Sequence, residues 1–296
     1  MKLFPVSIMR MHILVSGIVA FSFFAMFNSY WGTGKTSGAA LIAGIAFFMF
    51  FSSKYIRRIY RDRREFPDEW RHILDSRVDF YRKLSESDKR LFERDIRIFM
   101  DEQRIYALKG RDVADEIKLL IAASAAILGF GLPEWEWPDL RDILVYPSGF
   151  NEEYSLKEDY PIRGMVHRQG PIIFSEKDLK MGFLTSGTGY HVGLHEMAHV
   201  LDMANGEADG VPVGMDWMVT APWVKVMADR IQKVRRGECQ KILRDYAGVD
   251  EAEFFAVAVE VFFQRPAELA AQDPELYKLL QSYFRIDPEK PVSGEG

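Results

Sequence analysis

The chain contains the segment His195-Glu196-Met197-Ala198-His199, whose residue types and spacing can assemble a hydrolytic metal site. On a helix, two histidines four positions apart lie on one face, where both imidazoles can bind the same Zn²⁺ ion. The glutamate between them can then act as a general base toward a water molecule at the metal. A chance pair of histidines on a structural helix is the alternative, so the surrounding residues must decide.

The flanking residues favour a helix from Tyr190 to Ala204. This stretch has no proline, its apolar residues recur at helical intervals, and Asn205-Gly206 follows as a stop signal. His191 continues the four-residue spacing and is either a third ligand or a residue that contacts substrate or forms hydrogen bonds near the site. We favour the second role, because each four-residue step rotates by about 40° around a helix.

A catalytic zinc commonly has three protein ligands and one position left for water. The metzincin pattern places a glycine and a histidine where this chain has Asp202 and Asn205, so that class is disfavoured. The remaining candidates are carboxylates on a later helix, which Asp250 can cap. Glu253 and Glu260 lie seven residues apart on its apolar side, so we expect one to bind zinc and the other an imidazole or an arginine. A solvated acidic stripe is the alternative.

Two long segments resemble a known family. They are HEMAHVLDMANGEADGVP and LRDYAGVDEAEFFAVAVEVFFQRPAEL, and further motifs precede them in the family's order. The chain resembles the MtfA (Mlc titration factor A) family of zinc peptidases from about Phe66 to about Pro288. The resemblance implies a gluzincin with a catalytic fold similar to the protease domain of anthrax lethal factor.

The resemblance also implies a role for each site residue. The implied metal ligands are His195, His199 and Glu253, with Zn²⁺ as the cofactor. Glu196 is the implied general base, and Tyr246, seven residues before the ligand glutamate, is the implied catalytic tyrosine. Such a site hydrolyses a peptide bond with a metal-activated water, and the tyrosine hydroxyl can stabilise the oxyanion.

The predicted fold class is α+β and mostly helical: a zincin-like metallopeptidase domain with a small sheet and an HExxH helix. We place this domain at residues 65–290, before a disordered tail at 291–296. The segment Gly170–Phe174 is predicted to be an edge strand that pairs with an extended substrate. The other predicted elements are helical structure over 66–107 and 112–128 and strands at about 142–147, 162–168 and 171–175.

Residues 1–64 form a different kind of sequence. No Lys, Arg, Asp or Glu occurs in the 24 residues between Arg10 and Lys35, nor in the 18 residues between Lys35 and Lys54. These lengths predict a transmembrane hairpin with spans at about 12–31 and 37–53. A cleaved signal peptide is the rival interpretation, disfavoured by the second apolar segment and the poor cleavage site.

Charge predicts the orientation of the hairpin. Six basic residues lie between Lys54 and Arg64, whereas the connecting segment 31–37 carries only Lys35. The positive-inside rule therefore predicts a multi-pass inner-membrane protein whose catalytic domain faces the cytoplasm. The lone Cys239 excludes an internal disulfide and fits a reducing compartment. The net charge of −13 beyond residue 64 argues against direct nucleic-acid binding.

Two functional classes remain open from the sequence. The favoured one is a membrane-anchored zinc metallopeptidase that acts on a peptide or protein substrate. The alternative is a zinc-containing regulatory protein that sequesters a transcriptional repressor and cleaves little, a partner suggested by the resemblance alone. Glu196 and Tyr246 favour the enzyme, because a structural zinc site requires neither a base nor an oxyanion donor.

Overall fold

The chain divides into two compact units, one of residues 2–65 and a larger one of residues 66–296 that also includes Met1. The computed structural model describes residues 1–107, 112–138, 140, 142–149, 164–166, 171–185, 187–238 and 242–290. Several positions named above lie outside the described residues: Gly170, Cys239, the strand ends at 162–163 and 167–168, and the tail at 291–296.

The smaller unit is a helical hairpin followed by a basic helix. Helix α1 (Val6–Trp31) and helix α2 (Thr33–Phe51) are long and apolar enough to cross a membrane. Helix α3 (Ser53–Asp62) carries most of the basic run. Residues 33–37 of the predicted connecting segment 31–37 belong to α2, so the two long helices are joined by Gly32 alone. Its φ of 76° permits this abrupt reversal, which is strained for residues with a Cβ.

Small residues let α1 and α2 approach each other closely. A Cβ added to Gly44 would lie 3.1 Å from the Cβ of Ala20 and 3.1 Å from the carbonyl oxygen of Ser16. Both separations are tighter than ordinary van der Waals contacts, so any side chain at position 44 would have to push its neighbours on α1 away by a few tenths of an ångström. Close helix approach at small residues is typical of packed helices in lipid.

The larger unit is mostly helical with a small mixed sheet, as predicted from the sequence. The first half contains helices α4 (Asp68–Arg77), α5 (Asp79–Arg82), α6 (Glu86–Glu102) and α7 (Asp115–Gly129). The second half contains helices α8 (Glu176–Leu184), α9 (Val192–Met203), α10 (Trp217–Arg235), α11 (Glu251–Gln264), α12 (Pro266–Gln272) and α13 (Pro274–Phe284).

Within the described residues, four strands form one sheet in the order β1-β2-β4-β3. They are β1 (Arg104–Ala107), β2 (Asp142–Tyr146), β3 (Gly164–Val166) and β4 (Ile172–Ser175). Strand β2 is parallel to β1 and β4, whereas β3 is antiparallel to β4. The prediction that the segment ending at Phe174 is the edge strand is wrong. All four residues of β4 are buried and β4 pairs on both sides, as its apolar run favours, so the outer strands of the described sheet are β1 and β3.

One helix prediction also needs correction. Residues 104–107 form β1 rather than the end of a helical region, because β2 supplies a parallel partner that a short local pattern cannot reveal. Helix α10 is capped at its start by Asp216 and contains Pro222 within its first turns. Ser85 caps the start of α6, where its side chain accepts a hydrogen bond from the Asp88 amide.

Helices α9 and α11 pack against each other in the core. The side chain of Asp250 caps α11 by accepting a hydrogen bond from the Glu253 amide at 2.8 Å. Phe254, Phe255 and Phe262 on this helix are fully buried. Burial of each such side chain contributes about 1.5–3 kcal/mol, so apolar packing fixes the position from which α11 presents its acids.

Candidate metal centre

Helix α9 presents two imidazoles on one face. The Nε2 atoms of His195 and His199 lie 3.2 Å apart, and both side chains are nearly buried. This spacing follows directly from four residues of α-helix. Two ring nitrogens that converge in this way can bind one cation between them.

Helix α11 adds a carboxylate to this pair. One carboxylate oxygen of Glu253 lies 3.1 Å from Nε2 of His195, and the other lies 3.7 Å from Nε2 of His199. One ligand atom from each of the three residues falls within 4.8 Å of the others. Ligands at zinc-like bond lengths of about 2.0–2.1 Å in a tetrahedron are about 3.3 Å apart, so the observed separations fit a metal site.

Glu260 lies on the other side of His195. One of its oxygens is 2.7 Å from Nδ1 of His195, and its side chain is completely buried. Glu260 also accepts hydrogen bonds from the guanidinium of Arg244 and from the backbone N–H of His191. The expectation that the second acid meets an imidazole or an arginine is therefore confirmed, since it meets both.

The contact with Glu260 settles which nitrogen of His195 is available. In the neutral ring that a metal requires, a carboxylate at Nδ1 holds the proton there, which leaves the lone pair of Nε2 directed toward Glu253 and His199. The two acids left open by the sequence are thereby distinguished. Glu253 converges with the Nε2 atoms, and Glu260 orients the ring.

The electrostatics of the cluster favour positive charge. Burial alone would lower the pKa of His195, but its bonds to Glu253 and Glu260 outweigh burial and raise the value to about 10. Burial would raise the pKa of Glu253, yet its contacts with both imidazoles hold that pKa well below its usual range. Two acids around an imidazole thus stabilise a cation, whether a proton or a metal ion.

Glu196 is buried beside the cluster, with only 4% of its surface exposed. Burial raises the pKa of this carboxyl, an effect that the charges of His195 and His199 oppose. The backbone of β3 passes directly over it, since the atoms nearest to Gly164 on the side where a Cβ would stand belong to Glu196. The carboxyl group of Glu196 therefore lies between β3 and the two histidines.

Tyr246 lies at the open side of the cluster. It belongs to a 3₁₀ turn, Asp245–Gly248, and is 49% exposed. Its hydroxyl donates to Glu253 at 3.2 Å, and its ring centroid lies 6.1 Å from that of His195. Burial of the hydroxyl and the charge of Glu253 raise its pKa to about 12, so the phenol keeps its proton at neutral pH.

The structure does not bring His191 or Asp202 into the cluster. His191 caps α9: its Nδ1 accepts from the Leu194 amide at 3.2 Å, and burial lowers its pKa to about 4. The alternative of a third histidine ligand therefore has no geometric support. Asp202 is fully buried beyond the second histidine, where burial raises its pKa to about 6.

Comparison with known proteins places this cluster within a family. A family model described as glucose-regulated metallo-peptidase M90 matches residues 52–285. The chain belongs to this family. The matched range includes the whole of the cluster and all four strands, and membership in a metallopeptidase family implies a divalent metal, for which the two histidines and Glu253 provide suitable ligands.

Individual relatives agree with this membership. An uncharacterized protein of Synechocystis is 29% identical over 238 residues, which cover 76% of this chain and 86% of the relative. Proteins named Mlc titration factor A from Salmonella arizonae and Salmonella paratyphi B are 31% and 30% identical over 214 residues. These alignments cover 65% of this chain and 81% and 77% of the two relatives. The resemblance to the Mlc titration factor A family that the motifs indicated is confirmed.

Two residues at the site escaped the sequence analysis. Gly164 carries no chemical signal, and its strand is too short to reveal its position beside Glu196. Arg244 was not singled out, although an arginine partner for a second acid was expected. Its place two residues before Tyr246, within the segment that resembles the family, is the only signal that could have marked it.

Proposed function

We propose that this protein is a membrane-anchored, zinc-dependent metallopeptidase. The observation that carries the proposal is the convergence of ligand atoms from His195, His199 and Glu253 within 4.8 Å. Membership in a metallopeptidase family supports the same conclusion independently of that geometry. These three residues are the proposed ligands, and a zinc ion held by them would keep a fourth position for water, as in catalytic rather than structural zinc sites.

Zinc suits this set of ligands, because two neutral imidazoles and one carboxylate form a common catalytic combination. When bound, Zn²⁺ supplies a Lewis acid that lowers the pKa of water toward neutrality. Glu260 supports the arrangement by holding the proton of His195 on Nδ1. Arg244 in turn offsets the buried negative charge of Glu260.

Glu196 is the proposed general base. It is adjacent in sequence to His195, and its charge interacts with both histidines, as expected of a carboxylate beside the same cluster. A raised pKa makes a carboxylate a stronger base, so burial suits it to take a proton from the attacking water. The same carboxyl can deliver that proton to the leaving amine.

Tyr246 is the proposed oxyanion donor. A phenol that keeps its proton can donate a hydrogen bond to the oxygen that becomes negative in the transition state. Its half-exposed position next to Glu253 lies where a substrate would approach from solvent. In the free enzyme that hydroxyl donates to Glu253 and must turn toward the substrate to act.

Helices α1 and α2 support the membrane anchor. Most residues of the two helices are exposed in the folded chain, as expected of surfaces that lipid would cover. The basic residues of α3 follow the second helix, which favours a cytoplasmic location for the larger unit. The proposed substrates are therefore peptides or proteins in the cytoplasm or near its membrane surface.

A second candidate function is regulatory binding. Relatives at about 30% identity are named Mlc titration factor A, a name that describes titration of Mlc. Sequestration of a transcriptional repressor is thus a candidate activity of this chain. Hydrolysis remains the first candidate, because binding a repressor requires neither a general base nor an oxyanion donor, the roles proposed for Glu196 and Tyr246 beside the metal site.

A comparison of protein N-termini in cells tests the proposed peptidase. Cells would produce the full chain as wild type, as Glu196→Gln, or as Glu251→Gln, in which an exposed acid on α11 is changed as the control. We expect a set of new N-termini in the wild type and the control that Glu196→Gln lacks. Identical N-termini in all three, with equal protein levels, would contradict peptidase activity and favour the binding function.

A further inference from the structure

Gly164 occupies a position where a side chain has no room. A Cβ built on this residue would lie 2.7 Å from both Cδ and Cγ of Glu196, and closer still to one carboxylate oxygen. Carbon atoms in ordinary contact are about 3.5–4.0 Å apart. The carboxyl group of Glu196 thus fills the space that any residue other than glycine would need.

The backbone of Gly164 does not itself require glycine. Several glycines in this chain have positive φ angles, Gly189 and Gly206 among them, but Gly164 does not. It lies in β3, paired with Phe174 of β4, where alanine can adopt the same backbone conformation. The space taken by Glu196 is therefore the property that selects glycine here.

Glu196 cannot easily move aside. It lies in the middle of α9, is nearly buried, and has His195 directly before it. Helix α9 packs against β3 and β4, so the strand and the helix enclose the carboxyl group from two sides. A methyl group added at Gly164 would have to displace the carboxyl group of Glu196 or push β3 away from α9.

We propose that Gly164 is a positioning residue for Glu196. Because Gly164 has no Cβ, the carboxyl group of Glu196 can occupy a fixed position between β3 and the two histidines. The inference rests on the proposed function for its catalytic meaning, because Glu196 is the proposed base. Its structural content can be tested without any peptidase activity.

Thermal unfolding of the zinc-loaded full chain in detergent tests the proposal. Gly164→Ala would be measured in three backgrounds: wild type, Glu196→Gln, which keeps the shape of the side chain, and Glu196→Ala, which removes it. We expect the substitution to lower the Tm by about 2–4 °C or more in the first two backgrounds. In the third it should leave the Tm unchanged or raise it, since alanine reduces the freedom of the unfolded chain.

Met165→Ala is the matched control on the same strand. Met165 packs on the opposite face, against Tyr146 and Ile173, so its loss should lower the Tm equally in all three backgrounds. An equal cost of Gly164→Ala in all three, or no cost in the wild type, would overturn the proposal. If Gly164→Ala alone fails to fold, folding of Gly164→Ala/Glu196→Ala supports it, and failure of both contradicts it.

Hydrolysis of a fluorescence-quenched peptide library provides a second readout. Gly164→Ala should keep its zinc and a similar KM but lose about tenfold or more in kcat, because a misplacement of 1 Å can cost on the order of 10²-fold. A kcat equal to that of the wild type would contradict a role in positioning the base. If the wild type itself cleaves nothing, the proposed function fails, while the unfolding comparison still decides the role of Gly164.

Discussion

Replacing Glu260 by glutamine should weaken zinc binding without removing a ligand. Glu260 accepts from three donors: Nδ1 of His195 and the guanidinium of Arg244 at one oxygen, and the backbone N–H of His191 at the other. Glutamine has nearly the same size but offers one oxygen and one NH₂ group, which only donates. Whichever way the amide turns, at least one buried donor faces another donor.

The expected magnitude follows from these contacts. A buried polar group left without its partner costs about 1–3 kcal/mol. Loss of a carboxylate that orients a metal-binding histidine typically lowers metal affinity by about 10–100-fold. At about 1.4 kcal/mol for each factor of ten, that range is about 1.4–2.8 kcal/mol, so the two estimates agree.

Competition with a zinc-binding dye, on the full chain in detergent, measures this affinity. Glu260→Gln should bind zinc about 10–100-fold more weakly than the wild type. Glu253→Gln should lose more, since it alters a proposed ligand, and the exposed control Glu251→Gln should lose nothing. An unchanged affinity in Glu260→Gln, or a greater loss there than in Glu253→Gln, would refute the assignment of these two acids.

Three further predictions follow from the same geometry. Tyr246→Phe should retain zinc and lose about 10²–10³-fold in kcat, because the proposed role of the hydroxyl is to stabilise the oxyanion. Full activity in this variant would mean that the Tyr246 side chain serves only in packing. Asp250→Ala should destabilise the larger unit by about 1 kcal/mol through loss of the α11 cap, which thermal unfolding would reveal; an unchanged Tm would exclude that contribution. A reporter active only outside the cytoplasm should be active when fused after Lys35 and silent after Arg64, whereas secretion of a chain cleaved near residue 30 would exclude the hairpin.

The sequence was most informative where local signals agree. The HExxH spacing, the apolar periodicity of α9 and the Asp250 cap each depend on residues within one or two turns. Helix α9 accordingly lies close to its predicted bounds, and α11 begins at its predicted cap. The pattern also indicated that Glu253 and Glu260 face the interior, because acids on the apolar side of a helix need buried partners.

The errors arise where distant residues determine the structure. Strand β1 depends on pairing with β2, which starts 38 residues later along the chain, and a four-residue segment carries too little pattern to show this. The prediction that β4 is an edge strand was wrong for the same reason, since only its pairing with both β2 and β3 shows that it lies inside the sheet. The sequence does not reveal the role of Gly164, because that role depends on how close its backbone lies to the side chain of Glu196.

X-ray absorption at the zinc edge, on the purified full chain, tests the central claim most directly. The structure predicts about one zinc per chain, bound by two imidazoles and by oxygen at about 2.0–2.2 Å. Both His195→Ala and Glu253→Ala should lose most of this metal. A chain that takes up no zinc, or a metal bound by sulfur at about 2.3 Å or by three imidazoles, would contradict the proposed His195, His199 and Glu253 site.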